Sequence, residues 1–556
     1  MNSLEDVVRL AAQAAVDHRA EWNALDAAVG DGDFGTTAHR GFSAVLGAWS
    51  TLDRGSPPAL LRGVAEILSR EMGGSSGPLW TIGLFRAAGS LDADPGVGPA
   101  LAAAAAGISE YGGAKEGDKT FLDALLAAAS AVSALPDGAP AAEVAQAAAE
   151  GAWAGAARTA GYAARRGRAA YVGDRAVGRF DPGAAAVAMM FGAVAEAYGS
   201  PVRPPASYSA SRVELARPGA AEPAGTKQFV NDPDDAVTES LVGYALAHPD
   251  LVVWEPGDRF LRRRQPSPGL VGLVAGGGSG HEPMHGGFVG TGMLTAVAPG
   301  PVFASPTVHQ VLAATLAADA GAGVVHLVKN YTGDLINFGI AAELAQARGV
   351  VVRRVVIADD IGVDSSRHDV GRRGTGATVL AEKVAGAAAQ AGRPIDEVVA
   401  VTERLLRGAR SFGIALGSCS PPGAAPILAL GADEIEMGVG IHGEPGRERA
   451  PYRPAADLVR MAAGELLASL APPPGASLLA LASGLGGTTL MEQYLLFGEL
   501  HARLTAAGHR VARSLVGPYL TALDMAGAVL TVAVLDEELT ALWDAPVAAA
   551  GLRWGA

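Results

Sequence analysis

Cysteine is almost absent from this sequence, because Cys419 is the single one among 556 residues. An intrachain disulfide is therefore excluded. Charged residues are also few, at 18%, and the formal net charge of −14 excludes nonspecific binding of nucleic acid through a basic surface. Every long Ala-rich run is interrupted by charge or glycine, and the first residues lack the apolar core of a signal peptide. We therefore expect a cytoplasmic protein with no membrane association.

The common nucleotide-binding motifs are absent as well. No GxxxxGK[ST] segment occurs, and there is no clean GxGxxG after a strand. Apolar residues, in contrast, make up 49% of the chain, which is ample for a packed core. A chain of this length is too long for one core and predicts two or three domains.

The periodicity of apolar residues changes once along the chain. Residues 1–200 show apolar residues three and four apart in run after run, which predicts an all-α domain. Residues 201–225 are rich in Pro, Ser and Ala, and we interpret them as a linker. Residues 226–556 alternate short β-rich runs with helical stretches, which predicts an α/β domain with largely parallel sheets, made of two α/β subdomains.

Three aspartates lie close together in LDAAVGDGDFGTT, residues 25–37: Asp26, Asp31 and Asp33. We expect one helix from Leu4 to Asp26, followed by a Gly-rich loop. Converging carboxylates suit a hard divalent cation such as Mg²⁺, which keeps some waters and accepts phosphate oxygens as further ligands. An EF-hand is excluded, since its required Gly and Glu positions hold Thr36 and Phe42. A loop with Asp caps and Asx-turns explains the spacing equally well.

More Gly-rich loops fall between the predicted helices of the same half. Small residues allow backbone N–H groups to approach phosphates closely, and Arg168 would add a fixed positive charge. A carboxylate-held metal beside such loops predicts a nucleotide-phosphate site of a non-Walker type. The loops are MGGSSGPLW (72–80), YGGAKEGDKT (111–120), RGRAA (166–170) and RFDPGA (179–184).

The second half carries polar residues at the ends of predicted strands, where α/β sheets bind ligands. The segment 273–287 breaks into glycines before His281 and His285, and Pro283 between them disfavours a zinc-binding helix. Taken singly, each histidine is explained as an ordinary hydrogen-bonded residue. Together, His281, Asp334 and His442 suit a base, a charge partner and a nucleophile for a small polar substrate.

These motifs resemble the dihydroxyacetone kinase family in both halves and over nearly the whole chain. The aspartate segment and the Gly-rich loops are similar to the nucleotide-binding L-type subunit. The second half is similar to the ketose-binding K-type subunit. The segments that carry this resemblance are GGGSGHEPMHGGFVGTGML, FASPTVHQVL, KNYTGD, GRRGTGATVL, GVGIHGEPG and GLGGTTLMEQY.

For the first half, the resemblance implies an antiparallel eight-helix barrel that binds ATP and Mg²⁺ at one end. Asp26, Asp31 and Asp33 match its magnesium ligands. The positions that match nucleotide contacts are Phe34, Gly35, Thr36, Thr37, Ser75, Ser76, Gly113, Phe121, Arg168, Asp181, Pro182 and Gly183.

For the second half, the resemblance implies that His442 forms a covalent hemiaminal with the ketone carbonyl. His281 and Asp334 match the pair that polarises the hydroxyl to be phosphorylated. Further substrate contacts match Gly278, Ser279, Gly280 and Lys329. The domain order, L-type before K-type, is the reverse of the usual fused enzymes.

The resulting hypothesis is an ATP-dependent kinase of dihydroxyacetone or a similar short-chain ketose. The alternatives are a tetrulose (erythrulose) kinase, a triokinase/FMN cyclase, and a non-catalytic ketose-sensing regulator. ATP is favoured over a phosphotransferase protein as donor, because both domains are fused in one chain. The resemblance also implies a homodimer through the C-terminal domain.

Overall fold

The computed structural model describes residues 4–30, 32–167, 169–172, 176–208, 227–265, 267–363, 371–424 and 426–555. The chain divides into two compact units, residues 1–221 and 222–556. Within the described ranges, no helix combines the length and the apolar character that crossing a membrane requires.

The first unit is helical, and its described residues contain no strand. Side-chain caps begin three of its described helices: Ser56 accepts the backbone N–H of Ala59, Thr120 forms a capping box with Asp123, and Asp181 accepts the backbone N–H of Ala184. The single helix predicted up to Asp26 is two helices, interrupted at His18. The helices are α1 (Leu4–Asp17), α2 (Arg19–Ala27), α3 (Phe34–Gly47), α4 (Pro57–Glu71), α5 (Ser76–Ala93), α6 (Val97–Gly112), α7 (Phe121–Ser133), α8 (Ala141–Thr159), α9 (Ala169–Val172) and α10 (Pro182–Ala197).

Small residues let these helices pack closely. A Cβ on Gly155 of α8 would lie 2.4 Å from the carbonyl oxygen of Asp123 in α7, so only glycine permits this approach. The core also includes Tyr208, which lies within the segment predicted as a linker. Its hydroxyl lies 2.8 Å from Oε1 of Glu21, and its ring packs against Trp153.

The second unit alternates helices and strands. Its helices are α11 (Ala236–Ala247), α12 (Val308–Ala318), α13 (Thr332–Gln346), α14 (Ala377–Gln390), α15 (Ile395–Arg407), α16 (Ala455–Leu470), α17 (Leu490–Ala506) and α18 (Glu537–Asp544). Its strands are β1 (Val252–Glu255), β2 (Phe260–Arg263), β3 (Gly272–Ser279), β4 (Gly290–Thr291), β5 (Ala296–Val302), β6 (Val324–Lys329), β7 (Val352–Ile357), β8 (Ala409–Ala415), β9 (Glu434–Met437), β10 (Glu448–Pro451), β11 (Ser477–Gly484), β12 (Arg510–Val516), β13 (Gly527–Val534), β14 (Val547–Ala549) and β15 (Arg553–Trp554).

The strands form two six-stranded sheets and one small three-stranded sheet. The first sheet has the order β1-β2-β5-β3-β6-β7 and is parallel from β5 to β7. The second has the order β10-β9-β8-β13-β11-β12, and only its β11–β12 pair is parallel. The prediction of largely parallel sheets is therefore wrong for the second sheet. Alternation of strands and helices along the chain does not fix strand direction, because β13 enters between β8 and β11 running opposite to both.

A nearly fully buried helix, α14, contacts strands of both large sheets. Each of its residues from Ala377 to Ala389 is buried, and its alanines allow close packing. A Cβ on Gly386 would lie 2.3 Å from Cα of Met293. One apolar core includes residues of both sheets and of this helix. The second unit thus contains two large sheets that share one core.

Candidate functional site

The loop between β9 and β10 presents His442 inside the second unit. His442 is 4% exposed, and its Nδ1 lies 2.8 Å from Oε1 of Glu444. The other oxygen of Glu444 accepts the backbone N–H of His442 at 2.9 Å. Burial alone would raise the pKa of Glu444, but the nearby His442 and Arg373 hold it well below its ordinary value. When the imidazole of His442 is neutral, an ionised Glu444 fixes its proton on Nδ1 and leaves the lone pair on Nε2.

Arg373 supports this arrangement from a fully buried position. Its guanidinium donates to Oδ2 of Asp360 and to the carbonyl of Gly438, both at 2.7 Å. Gly440 makes room for the charges: a Cβ there would lie 2.0 Å from Oε2 of Glu444 and 2.5 Å from Nη1 of Arg373. The charge of Glu444 is therefore balanced within the protein.

His281 follows β3 of the first sheet and is fully buried beside His442. The centroids of the two imidazoles lie 4.9 Å apart. Nδ1 of His281 donates to the carbonyl oxygen of Thr521, 2.8 Å away in the segment between β12 and β13 of the second sheet. Nε2 of His281 is buried without a hydrogen-bond partner among the described residues. Burial, followed by the charges of His442 and Lys329, lowers the pKa of His281 well below its ordinary value, so Nε2 is a neutral acceptor.

Asp334 and Lys329 lie at the adjacent strand end. Lys329 is the last residue of β6, and Asp334 lies in the first turn of α13. Nζ of Lys329 lies 3.9 Å from Oδ2 of Asp334, and both residues are buried. Oδ1 of Asp334 is a second buried acceptor without a hydrogen-bond partner in the described part of the chain.

Gly277 and Gly278 allow close approach of side chain and backbone at this strand end. A Cβ on Gly277 would lie 2.1 Å from Nζ of Lys329, and one on Gly278 would lie 2.4 Å from the carbonyl carbon of Phe303. Ser279 donates through its hydroxyl to the carbonyl of Gly300 at 2.7 Å. The strand end is therefore a close-packed cradle, which explains its glycine-rich sequence.

Aromatic rings surround the two histidines. The ring of Tyr331 lies 4.7 Å from that of His442, and the ring of Phe303 stacks on His281 with centroids 5.1 Å apart. Phe303 also meets His442 edge-on at 5.3 Å. The structure thus assembles the predicted residues of the second half into one buried, largely apolar site with a few directed polar atoms, as small-molecule sites have.

In the first unit, Asp26 lies in the last turn of α2 and organises the loop that follows. Its Oδ2 accepts the backbone N–H groups of Gly32, Asp33 and Phe34 at 2.9, 3.0 and 3.2 Å. Burial and the charge of Asp26 raise the pKa of Asp33 to about 7, against the opposing charge of Arg40. Two carboxylates held close enough to repel provide the hard oxygen donors that Mg²⁺ prefers, so these residues fit the predicted metal.

The first turn of α3 holds four of the predicted nucleotide contacts, Phe34 to Thr37. Asn23, which the sequence analysis missed, fixes this turn by accepting the N–H of Thr36 and donating to its hydroxyl, both at 2.9 Å. A Cβ on Gly35 would lie 2.2 Å from the carbonyl oxygen of Arg19. The turn is therefore rigidly placed, with the N–H groups of Phe34, Thr36 and Thr37 donating to acceptors within the protein.

Further predicted contacts lie at helix ends. Ser75 precedes α5, Ser76 begins it, and Gly113 ends α6 with φ +61°. Phe121 begins α7, and its ring stacks on Trp80 with centroids 5.5 Å apart. A Cβ on Gly183 would lie 3.0 Å from Cβ of Phe121, which places the start of α10 beside this aromatic pair.

Asp181 caps α10 next to a buried lysine. Its Oδ1 accepts the backbone N–H of Ala184 at 2.7 Å, and Pro182 follows at the first helical position. Burial raises the pKa of Asp181 to about 7. Lys119, also missed from the sequence, donates to the carbonyls of Thr159 and Arg179 at 2.6 and 2.5 Å. These bonds tie the loop before α7 to the loop before α10.

Two predicted residues lie outside the described ranges, namely Asp31 and Arg168. Among the described residues, no group of three His, Cys, Asp or Glu side chains is arranged to hold a metal ion. The three-aspartate metal site therefore stays a prediction.

Comparisons with known proteins agree on one family. Residues 28–196 match the DAK2 domain model, and residues 242–551 match the Dak1 domain model. The dihydroxyacetone-binding subunit DhaK of the PTS-dependent dihydroxyacetone kinase 1 of Listeria innocua is 44% identical over 313 residues, which are 56% of this chain and 95% of that protein. The human triokinase/FMN cyclase is 40% identical over 333 residues, which are 58% of each chain.

Among solved structures, the dihydroxyacetone kinase of C. freundii in complex with AMP-PNP and Mg²⁺ is similar to this fold. It superimposes with a TM-score of 0.53 at 36% identity and covers 58% of this chain and 60% of that one. The matches define a two-domain protein with the DAK2 part before the Dak1 part. The chain belongs to the dihydroxyacetone kinase family.

Proposed function

We propose that the protein is an ATP-dependent kinase that phosphorylates the terminal hydroxyl of dihydroxyacetone or a similar short-chain ketose held on His442. The observation that carries this proposal is the pairing of two imidazoles 4.9 Å apart, one with its lone pair fixed on Nε2 and one with a buried, unpartnered Nε2 among the described residues. Such a pair suits a nucleophile for the carbonyl and a base for the neighbouring hydroxyl.

Capture of the ketone follows from the pairing of His442 with Glu444. The lone pair on Nε2 forms a C–N bond to the carbonyl carbon as the C=O π bond breaks, and the oxygen takes up one proton from solvent to become a hydroxyl. Positive charge that develops on the ring is stabilised by Glu444 through Nδ1–H. A triose is too small to be selected by contact area, so a reversible covalent bond provides selectivity against polyols such as glycerol, which lack a carbonyl.

The hydroxyl to be phosphorylated needs a proton acceptor, and two are present. Nε2 of His281 and Oδ1 of Asp334 are buried acceptors without partners in the described residues, so a substrate hydroxyl would satisfy them. Tethering at His442 then places this hydroxyl for attack, and positioning supplies much of the rate enhancement.

For the phosphate donor, we propose Mg-ATP bound to the first unit. Asp26, Asp31 and Asp33 would hold Mg²⁺, which neutralises phosphate charge when bound. The first turn of α3, the ends around Ser75 and Gly113, Arg168, and the Phe121–Gly183 region would contact the nucleotide. The similar C. freundii kinase was solved with AMP-PNP and Mg²⁺, and this chain carries a DAK2 part, which together support ATP as donor.

The proposal also covers the roles of the chain segments, the cellular location, the oligomeric state and the independence from phosphotransferase proteins. Residues 1–200 form an eight-helix barrel for the nucleotide, residues 201–225 are a linker, and residues 226–556 bind the ketose. The protein acts in the cytoplasm as a homodimer formed through the C-terminal domain. The L. innocua relative is PTS-dependent, and turnover with ATP in the absence of phosphotransferase proteins would separate this chain from that mode.

A triokinase/FMN cyclase is the second candidate, supported by the 40% identity to the human protein of that name. A tetrulose kinase would use the same capture chemistry. The size of the ketose pocket decides whether the substrate has three or four carbons. A regulator is disfavoured by the retained His281, Asp334 and His442, because a sensor does not need a base beside its capture residue.

A coupled ADP-release assay of the full chain with Mg-ATP tests the proposal across dihydroxyacetone, erythrulose, glyceraldehyde and glycerol. We expect turnover of the ketoses. His442→Ala should raise KM and weaken discrimination against glycerol, whereas Asp334→Ala should chiefly lower kcat. His501→Ala, at an exposed position on α17, is the matched histidine control. Wild-type kinetics in both site variants would contradict the assignment, and no turnover of any ketose would favour the regulator.

A further inference from the structure

Behind Lys329 lies a chain of buried titratable groups that the proposed mechanism does not use. Nζ of Lys329 lies 2.7 Å from Nε2 of His285. Nδ1 of the same imidazole hydrogen-bonds to Oε1 of Glu382. Glu382 lies on α14 and is fully buried, and His285 is 4% exposed. Three groups from three different segments thus lead from the ketose site into the core.

The hydrogen bonds fix how protons are arranged in this chain. Lys329 also donates to the carbonyl of Gly276 at 3.2 Å, which can only accept. If Lys329 is an ammonium, it donates to Nε2 of His285. The proton of that imidazole then lies on Nδ1 and is donated to Oε1 of Glu382. With Glu382 ionised as the counter-charge, the charges along the chain are positive, neutral and negative.

Asp334 is the other carboxylate beside Lys329, at 3.9 Å. In the proposed reaction, the substrate hydroxyl releases one proton, and Asp334 becomes neutral when it is the group that takes this proton. Lys329 would then be a buried cation without an adjacent anion, which is costly. Glu382 is the carboxylate that keeps its charge at that moment, because it contacts the site only through His285.

We propose that Glu382 and His285 are positioning residues that hold Lys329 as an ammonium ion directed at the ketose, with Glu382 supplying its buried counter-charge through the imidazole. This inference rests on the proposed kinase function. It gives a role to His285 of the GHEPMHGG segment and to Glu382 of the central helix α14. Direct contact with the substrate does not explain either residue.

The surrounding charges agree with this role. Burial lowers the pKa of Lys329, while Asp334 and Glu382 oppose that shift. Burial raises the pKa of Glu382, and Lys329 opposes it. Burial lowers the pKa of His285, with Lys329 and His281 acting in the same direction, so the imidazole stays neutral. Lys329 and Glu382 thus each depend on the other to remain charged.

The decisive measurement is the pH profile of kcat/KM for dihydroxyacetone in the full chain. Glu382→Gln keeps a hydrogen-bond acceptor for His285 but removes the charge, so Lys329 should lose its proton at lower pH. We expect the alkaline limb of the profile to shift to lower pH by about one unit. The value of kcat/KM should then be about tenfold lower in the alkaline range. Little change is expected near pH 6.5, and KM for ATP should not change.

Two variants on the same helix distinguish charge from packing. Glu382→Asp retains the carboxylate and should keep the alkaline limb near its wild-type position. Lys383→Met removes the neighbouring buried charge, which donates to the carbonyl of Leu542 at 2.8 Å, outside the Lys329 chain. An unmoved limb in Glu382→Gln would overturn the proposal, and so would an equal shift in Lys383→Met.

Substitution of His285 provides a second test if Glu382→Gln does not fold. His285→Gln can accept from Lys329 and donate to Glu382, so the limb should stay in place, whereas His285→Leu should move it. Equal profiles for these two variants would contradict the proposal. If the wild type shows no turnover, the kinase function fails, and calorimetric binding of dihydroxyacetone against pH in wild type and Glu382→Gln still tests the pair by itself.

Discussion

The side chain of Glu444 contacts His442 twice, through Nδ1 of the ring at 2.8 Å and through the backbone N–H at 2.9 Å. One carboxylate therefore sets both the tautomer of the imidazole and the shape of the loop that carries it. Hydrogen bonds to charged groups contribute about 1.5–3 kcal/mol. Removal of this carboxylate should therefore have a large effect that is specific to ketone capture.

We expect Glu444→Gln to raise KM for dihydroxyacetone by about tenfold to a hundredfold, with KM for ATP unchanged. A neutral amide has one oxygen for two N–H donors, and its NH₂ group would face Arg373. Steady-state kinetics with each substrate varied separately measure the effect. Glu434→Gln, at an exposed position of β9, serves as the control. A parallel rise in both KM values would indicate general disruption rather than loss of imidazole positioning.

Asp26 should be important for both stability and catalysis, because one oxygen accepts three backbone N–H groups. Asp26→Ala leaves these donors without their acceptor and should lower the free energy of unfolding of the helical unit by about 1–3 kcal/mol. Asp26→Asn retains an oxygen and should preserve most of that stability while reducing use of Mg-ATP. Urea unfolding and ADP release measure the two effects.

Ketose binding gives the contrast for this prediction. Calorimetric titration of Asp26→Asn with dihydroxyacetone should match the wild type, since His442 lies in the other unit. The same separation is expected for Asp31→Asn. Loss of ketose capture in either variant would contradict the assignment of two separable sites.

Phe121 tests the nucleotide assignment of the first unit. Its ring stacks on Trp80 and adjoins Gly183, so it offers an apolar surface at the junction of α7 and α10. Phe121→Leu keeps apolar bulk but removes the aromatic face, and stacking with a base is worth about 1–3 kcal/mol. We expect KM for ATP to rise by about fivefold or more, with KM for dihydroxyacetone unchanged. Phe42→Leu, at a ring that meets Trp80 edge-on, is the packing control. Equal effects of both variants would refute a nucleotide contact.

The pH dependence of stability should contain a contribution from His326. Burial and then the charge of Arg354 lower its pKa to about 3, whereas the unfolded chain has the ordinary value of 6.5. Unfolding therefore takes up a proton between these values, so the stabilising contribution is complete above pH 6.5 and is lost as the pH falls toward 3. Each pH unit by which the pH falls within that window lowers the free energy of unfolding by about 1.4 kcal/mol.

The variant His326→Gln should remove this contribution. Compared at pH 7.5 and 5.5, the free energy of unfolding of the C-terminal unit should fall about 1.4 kcal/mol less in the variant than in the wild type. His501→Gln, at an exposed histidine, should show the wild-type slope. If His326→Gln keeps that slope as well, the buried neutral state of His326 is wrong.

The sequence was informative where a local pattern determines a structure. The β-rich runs predicted for the second half include strands such as β3 and β6, and polar residues at the ends of these two strands pointed to His281, Lys329 and Asp334. Glu444 could have been proposed from the sequence, because it follows His442 by two residues in a Gly-lined loop. Its importance depends on the side chain folding back on the ring, which spacing alone does not specify.

Other features depend on contacts that are distant in sequence. Thr521 meets His281 across 240 positions, and Glu382 meets His285 across 97. Glu382 lies within a helix whose burial on every side is set by the packing of two sheets. The direction of β13 in the second sheet is likewise a tertiary property. Asn23 carried no signal, because an asparagine within a helix has no distinctive pattern.

The hydrogen bond between His281 and Thr521 has a consequence for folding. His281 extends from a strand of the first sheet, whereas Thr521 and His442 belong to the second. Neither sheet alone contains both imidazoles or fixes the tautomer of His281. Under the proposed mechanism, ketone capture coupled to proton transfer therefore begins only when the two sheets have docked around α14, and a half-folded chain has no complete reactive centre with which to attack cellular carbonyls.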